Sequence, residues 1–355
     1  MRASDFDFEL PPDRIASEPA ARRDDARLLV LDRRTGAVSH HTIRDLPDLV
    51  PSSALQIVND ARVIPARLHG RKPTGGRVEL LLLEPLDGAL IGAPGPQRWR
   101  ALAGSSKPMR LGPLTLDGDD APACEVVAVL EGGAVELALT PAARDGSVLV
   151  AIERVGQLPL PPYIQRDQPT DEDRARYQTV YARAPGSVAA PTAGLHFTPA
   201  LLEALAARGV ERAALTLHVG AGTFLPLRSD DVDAHVMHSE RFDVPPAVAA
   251  AYAAARAAGR PVWAVGTTCV RTLEATVSDD GATLAAGPGE TRIFIRPGHR
   301  FRAVDLLLTN FHLPKSTLIM LVAAFAGREQ ILAAYAEAIA RGYRFYSYGD
   351  AMLIV

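Results

Sequence analysis

Four short stretches of this chain concentrate the residues whose types could do chemistry. The first is Pro191-Thr192-Ala193-Gly194-Leu195-His196-Phe197-Thr198. The second is His218-Val219-Gly220-Ala221-Gly222-Thr223-Phe224. The third is Gly266-Thr267-Thr268-Cys269-Val270-Arg271-Thr272. The fourth is Thr309-Asn310-Phe311-His312-Leu313-Pro314-Lys315-Ser316-Thr317. Each mixes glycine or proline with hydroxyls and a potential proton carrier or cation. Three of them run from a strand pattern or a turn into a helix pattern, where free N–H groups and positive potential suit carboxylates, hydroxyls and phosphates. Structural loops rarely need His, Arg, Asn and Lys at such places. Taken singly, Thr198 and Thr317 read as helix caps.

Other chemistries fail on spacing. Gly220 and Gly222 make a lone G-x-G without the rest of a dinucleotide fingerprint, and no phosphate-loop or G-x-S-x-G pattern occurs. His235 and His238, with Asp230, Asp231, Asp233 and Glu240 nearby, have a spacing that zinc could use. No H-E-x-x-H or cysteine pair supports it, so no metal site is expected. Cys124 and Cys269 stand too far apart to build a disulfide framework.

The elements that must position these stretches follow from hydrophobic pattern. Residues 55–58, 78–83, 99–103, 125–130 and 135–139 read as short strands separated by turn signals, with Gly132-Gly133 as a hairpin. This predicts a small barrel or sandwich over 55–151. From Thr192 onward strands alternate with helices. Pro199, Pro246 and Thr268 open helices, 210–219 and 261–265 read as strands, as do 293–295 and 304–308, and 315–325 and 328–340 read as helices. The expected fold is an α/β body with a largely parallel sheet, built from 1–54 and 152–355, carrying an inserted β-barrel module. The proline-rich stretch 157–168 reads as the linker leaving that module.

The 355 residues carry 38 basic and 41 acidic groups, a net charge of −3, which argues against a general nucleic-acid binder. Basic charge is nonetheless local. Arg62, Arg67, Arg71, Lys72, Arg77, Arg98, Arg100, Lys107 and Arg110 face only Glu79, Glu84 and Asp87 in that stretch. With Trp99 between two arginines, such a module could hold RNA phosphates and stack a base. A solvated barrel face is the equal alternative on charge alone. The amino terminus lacks an apolar signal-peptide core and the apolar run 318–326 is too short for a membrane span, so a cytoplasmic chain without membrane contact is expected.

The runs NDARVIPARL (59–68), RYQTVYA (176–182), GSVAAPTAGLHFT (186–198), TLHVGAGTF (216–224), HVMHSE (235–240), AVGTTCVRTLE (264–274), LLTNFHLPKSTL (307–318) and YRFYSYGDAMLI (343–354) resemble the S-adenosylmethionine:tRNA ribosyltransferase-isomerases of queuosine biosynthesis, nearly end to end. Cys269 stands where serine is expected and Ala61 where threonine is, so Cys269 is not expected to be a nucleophile. The resemblance implies an α/β body with an inserted barrel. It also implies S-adenosylmethionine as ribosyl donor, with no metal or redox cofactor. The implied acceptor is 7-aminomethyl-7-deazaguanine at the wobble position of tRNA with a GUN anticodon, and the products are epoxyqueuosine, adenine and methionine. A monomer is favoured.

That chemistry asks for a base at the acidified C5′, assistance to departing adenine and a grip on the methionine end. The matching runs offer His196, His218, His238 and His312 as catalytic candidates, with Glu240 and Asp305 as fallback carboxylates. Arg271 or Lys315 would pair the carboxylate. Thr192, Gly194, Gly220, Gly222, Thr223, Thr267, Thr268, Thr272, Asn310, Ser316 and Thr317 would contact the substrate, and Phe197, Phe224 or Phe311 could face the sulfonium. Two other readings compete: an S-adenosylmethionine-dependent RNA methyltransferase, and a non-catalytic tRNA-binding protein.

Overall fold

The computed structural model describes residues 1–164, 166, 168–220 and 230–355. The chain opens with a hairpin, β1 (Arg27–Leu31) and β2 (Val38–Thr42), and a short α1 (Leu46–Leu49). β3 (Leu55–Asn59) and β4 (Ala61–Val63) lead into β5 (Arg67–Arg71), β6 (Arg77–Pro85), β7 (Gln97–Gly104), β8 (Gly112–Leu116), β9 (Ala123–Val129) and β10 (Ala134–Thr140). After α2 (Val148–Val155), α3 (Asp171–Arg176) and β11 (Ala184–Ser187), the body continues as α4 (Pro199–Ala207), β12 (Glu211–Leu217), β13 (Glu240–Val244), α5 (Pro246–Ala257), β14 (Val262–Val265) and α6 (Thr267–Thr276). It ends with β15 (Gly287–Thr291), β16 (Leu306–Asn310), α7 (Thr317–Ala326), α8 (Arg328–Ala340) and β17 (Ala351–Ile354).

Among the described residues, nine strands form one sheet in the order β15-β13-β12-β3-β14-β16-β17-β1-β2. Its centre, β12-β3-β14-β16, is parallel, and antiparallel strands extend both edges. Helices cover both faces, so β3 and β14 read as continuous apolar runs, the mark of strands buried on both sides. The fold is therefore an α/β body with a barrel module, as the pattern predicted. Residues 293–295 lie outside any strand.

The barrel closes in the order β10-β7-β6-β5-β8-β9. β9 and β10 form the hairpin expected at Gly132-Gly133. Two boundaries need correcting. Residues 55–59 pair with β12 and β14 at the middle of the body's sheet rather than opening the barrel. At the other end, α2 runs past residue 151 and sends Val148 and Ile152 into the barrel's apolar core. Trp99 is a further correction. It is fully buried in that core with its indole N–H donated to Gln97 Oε1 at 3.1 Å, so it offers no face to RNA. Truncating it to alanine would cost about 3–5 kcal/mol.

The barrel joins the body at a narrow neck. Arg67 N–H donates to Gln157 O at 3.1 Å and Gln157 N–H returns to Arg67 O at 2.8 Å. Gly156 fits there because a Cβ would lie 2.0 Å from Pro65 O. Farther in, β4 pairs in parallel with β11. No single helix among the described residues is long and apolar enough to cross a membrane.

Candidate active site

The central parallel strands end at a half-open cleft, the usual place for a ligand in such a sheet. All four stretches reach it, the second through Val219, and three of them arrive there for a clear local reason. The turn of helix at Thr192–His196 places Thr192 on the wall, and Thr198 caps α4 by accepting Leu201 N–H at 3.2 Å. After β14, Gly266 turns at φ 91° and presents Thr267 and Thr268 at the start of α6, which has no side-chain cap. At and beyond the end of β16, Asn310, Phe311, His312, Leu313 and Ser316 also line it. Ser316 is also the cap of α7, accepting Ile319 N–H at 3.3 Å.

The imidazoles differ in role. His196 is buried behind the wall and meets Asn310 Nδ2 at 3.2 Å. Because the amide nitrogen donates, His196 Nε2 accepts and the ring is neutral with its proton on Nδ1. Burial, aided by the charges of Arg344 and Arg23, pushes its pKa down to about 4. His312 lines the cleft with Nε2 at 2.8 Å from Thr309 Oγ1, and burial takes it to about 3. His218 follows β12 beside Gly186 and is likewise lowered to about 4 by burial and by Arg241. His238 lies exposed in a loop and does not line the cleft. The described imidazoles at the site are thus neutral proton acceptors at physiological pH.

The expected cations are elsewhere. Arg271 forms a buried ion pair with Glu240, whose other oxygen accepts Gly220 N–H at 3.4 Å. Burial lowers the guanidinium to about 10. Lys315 points away and pairs with Asp7 at 2.7 Å. Asp305 sits at the other end of the sheet, held by Arg256 and the Val262 N–H at 2.7 Å each. Thr272 is buried against Thr268 O, Thr317 begins α7 without lining the cleft, and Gly194 lies beneath it, where a Cβ would meet Tyr181 Oη at 2.3 Å. Phe197 is core, and Phe311 belongs to an aromatic cluster with Tyr335, Tyr343 and Phe345. Cys269 is buried, which raises its thiol pKa and keeps it unreactive. Gly222, Thr223 and Phe224 lie outside the described residues.

The metal arrangement suggested by His235 and His238 does not assemble. Asp230 caps Ser4 and Asp233 pairs with Arg296, and no group of three metal-ligating side chains occurs among the described residues.

Sequence reasoning missed the aromatic wall. Tyr163 and Tyr346 line the cleft with ring centroids 4.6 Å apart. Tyr163 comes from the linker leaving the barrel, and its hydroxyl accepts Ser347 N–H at 3.1 Å. Tyr346 is held at φ 74°, unusual for a bulky side chain. Its carbonyl takes Asn310 Nδ2–H at 3.1 Å and Gly349 N–H at 3.0 Å. Among the described residues the cleft is lined by hydroxyls, an amide, an imidazole and aromatic or aliphatic groups, with no formally charged side chain.

Comparison with known proteins agrees with this architecture. A family model described as "Queuosine biosynthesis protein" matches residues 3–354. The chain belongs to the queuosine biosynthesis family. Similar proteins named S-adenosylmethionine:tRNA ribosyltransferase-isomerase include one from Anaeromyxobacter sp. (strain Fw109-5), 57% identical across 100% of this chain and 99% of the relative. Another, from Sorangium cellulosum (strain So ce56), is 54% identical across 100% and 98%. A crystal structure of S-adenosylmethionine tRNA ribosyltransferase from Thermotoga maritima matches with a TM-score of 0.55 and 34% identity, covering 99% of this chain and 100% of that one.

In this member of the queuosine biosynthesis family the nine lysines and arginines between Arg62 and Arg110 divide in two. Arg62 pairs with Glu153, Arg67 approaches Glu79, Arg98 pairs with Glu136 and Arg100 with Glu84. Lys72 is tied down by Ser105 Oγ, Lys107 O and Pro108 O. The charged heads of Arg71, Arg77, Lys107 and Arg110 are exposed and have no partner among the described residues. Arg71 and Arg77 are register partners on the β5–β6 hairpin, and Lys72 clips that hairpin to the loop carrying Lys107. The unpaired charge is therefore gathered at one end of the barrel.

Proposed function

We propose that this chain transfers and isomerises the ribosyl moiety of S-adenosylmethionine onto 7-aminomethyl-7-deazaguanine at the wobble position of GUN-anticodon tRNA. The products are epoxyqueuosine, adenine and methionine. The observation that carries the reading is the cleft itself, lined by Thr192, Thr267, Thr268 and Asn310 together with the Tyr163–Tyr346 pair. A cationic sulfonium nucleoside is served there by hydroxyls, an amide and aromatic faces.

In the reaction a base removes a C5′ proton acidified by the sulfonium. Adenine leaves, the neutral amine of the acceptor attacks the sugar, and the epoxide closes as methionine departs. His312 is the imidazole that lines the cleft, and we assign it the proton transfer. His196 orients Asn310 and, through it, Tyr346. The tip of the barrel holds the anticodon stem-loop electrostatically. The reading needs no cofactor beyond S-adenosylmethionine as substrate, and it suits a monomer acting on tRNA in the cytoplasm.

The test is incubation with S-adenosylmethionine and acceptor-bearing tRNA. Free adenine and a mass gain on the wobble base are expected. Release of S-adenosylhomocysteine with a methylated RNA would establish the methyltransferase instead, and tRNA binding without turnover would leave a passive binder.

A further inference from the structure

A second, smaller half-open cavity lies beside the cleft, sharing Ser347 with it and having His196 in its wall. Arg23 and Arg176 also line it, and no acidic side chain does. Both guanidiniums donate to backbone carbonyls. Arg23 donates to Leu195 O and Ala175 O at 3.0 Å each. Arg176 donates to Ala20 O at 2.6 Å and Ala21 O at 3.3 Å, and its Nε is buried without a partner.

The nearby carboxylates do not cancel this charge. Glu172 reaches Arg176 only at 3.7 Å and is solvated, and Asp173 is taken by Arg166 at 2.7 Å. Burial and the charge of Arg176 lower the pKa of Arg23. Two like charges thus share a small half-enclosed space, an arrangement that costs stability until an anion enters. Carbonyl bonds hold both forks in place beforehand, which suits bidentate recognition of an oxyanion.

We infer that this cavity is an oxyanion site serving the reaction cleft. The inference rests on the tRNA-modifying reading for its occupant. The ligand is the phosphodiester flanking the target nucleotide or the carboxylate of the donor's methionine end. Either would place negative charge next to His196 while the reacting groups occupy the cleft.

The test uses the full chain, with Arg23→Gln, Arg176→Gln and Arg176→Lys. For a phosphodiester, KM for tRNA rises roughly tenfold in the Gln variants. Its salt dependence flattens by about one unit of slope per arginine, Arg176→Lys recovers part of the loss, and KM for the donor holds. For a carboxylate, KM for the donor rises by a similar factor and KM for tRNA holds. Unchanged values of both, with adenine still released, overturn the proposal.

Should the Gln variants unfold, the wild-type chain decides. Inorganic phosphate, against chloride at matched ionic strength, is expected to shift the ring resonances of His196, and no shift overturns the site. Absence of adenine release from the wild type would defeat the enzymatic reading instead, while the phosphate titration still reports on the cavity.

Discussion

Asn310 donates its Nδ2–H towards His196 Nε2 at 3.2 Å, and this contact fixes the tautomer of a buried ring. An aspartate in its place could only accept. Asn310→Asp would force His196 to take a proton at Nε2 or lose the contact, and it would remove one of the two donors to Tyr346 O. The His196 pKa is expected to climb from about 4 towards neutrality, with adenine release falling about a hundredfold. Nitrogen-15 spectra of the ring across pH check the first part. An unmoved His196 would refute the tautomer assignment.

His312→Gln tests the proton transfer. The expected loss in single-turnover adenine release is about 10²-fold or more, with KM for the donor changed much less. Because burial holds this ring near 3, its base form persists throughout the working range. The rate should therefore show no acidic limb from this group above about pH 4. A His312→Gln variant with near-wild-type rates would remove it from the mechanism.

The buried imidazoles also govern stability. His196 and His312 have folded pKa values of about 4 and 3, below the ordinary 6.5. Between those limits the unfolded chain binds more protons. Their contribution is present above pH 6.5 and lost as pH falls through the folded values, on the order of 3 kcal/mol for His196 and about 5 kcal/mol for His312. Melting temperature should drop steeply from pH 6.5 to 4, and His312→Gln should flatten that slope. An unaltered slope would count against the buried neutral ring.

The Arg271–Glu240 pair separates architecture from substrate grip. Arg271→Met leaves Glu240 buried and unpaired and should cost about 3–5 kcal/mol, much of it recovered by adding Glu240→Leu. Lys315→Gly, at φ 55° and half-exposed, should stay within about 1 kcal/mol of wild type and leave KM for the donor unchanged. A raised donor KM in Lys315→Gly would restore the lysine as a carboxylate partner.

Neutralising Arg71, Arg77, Lys107 and Arg110 together should weaken tRNA binding and reduce its salt slope by about one unit per charge. A triple change at the paired Arg62, Arg98 and Arg100 should alter the slope far less per charge removed. Equal effects from both sets would show that pairing within the barrel does not decide which cations meet RNA.

The α/β body and the four loops were legible because glycine and polar residues interrupt apolar runs at the carboxyl ends of strands. Residues 55–59 misled because a strand buried on both faces shows no alternation. Trp99 misled for a different reason. Its neighbours Arg98 and Arg100 point outward, so period-two alternation in β7 itself turns the indole inward, a signal present in the sequence but outweighed by the charges. The partner of Arg271 is 31 residues away on another strand, a contact that spacing does not reveal. Tyr163 and Tyr346 read as ordinary core aromatics, since neither a positive φ nor a pairing across the linker leaves a trace in residue type.

The neck where Gln157 and Arg67 bond to each other makes the barrel a cassette. Its two ends nearly touch, so excising it leaves a gap that a very short splice could bridge at little entropic cost. A gene encoding this body can thus exchange one appendage for another without redrawing the sheet that forms the cleft.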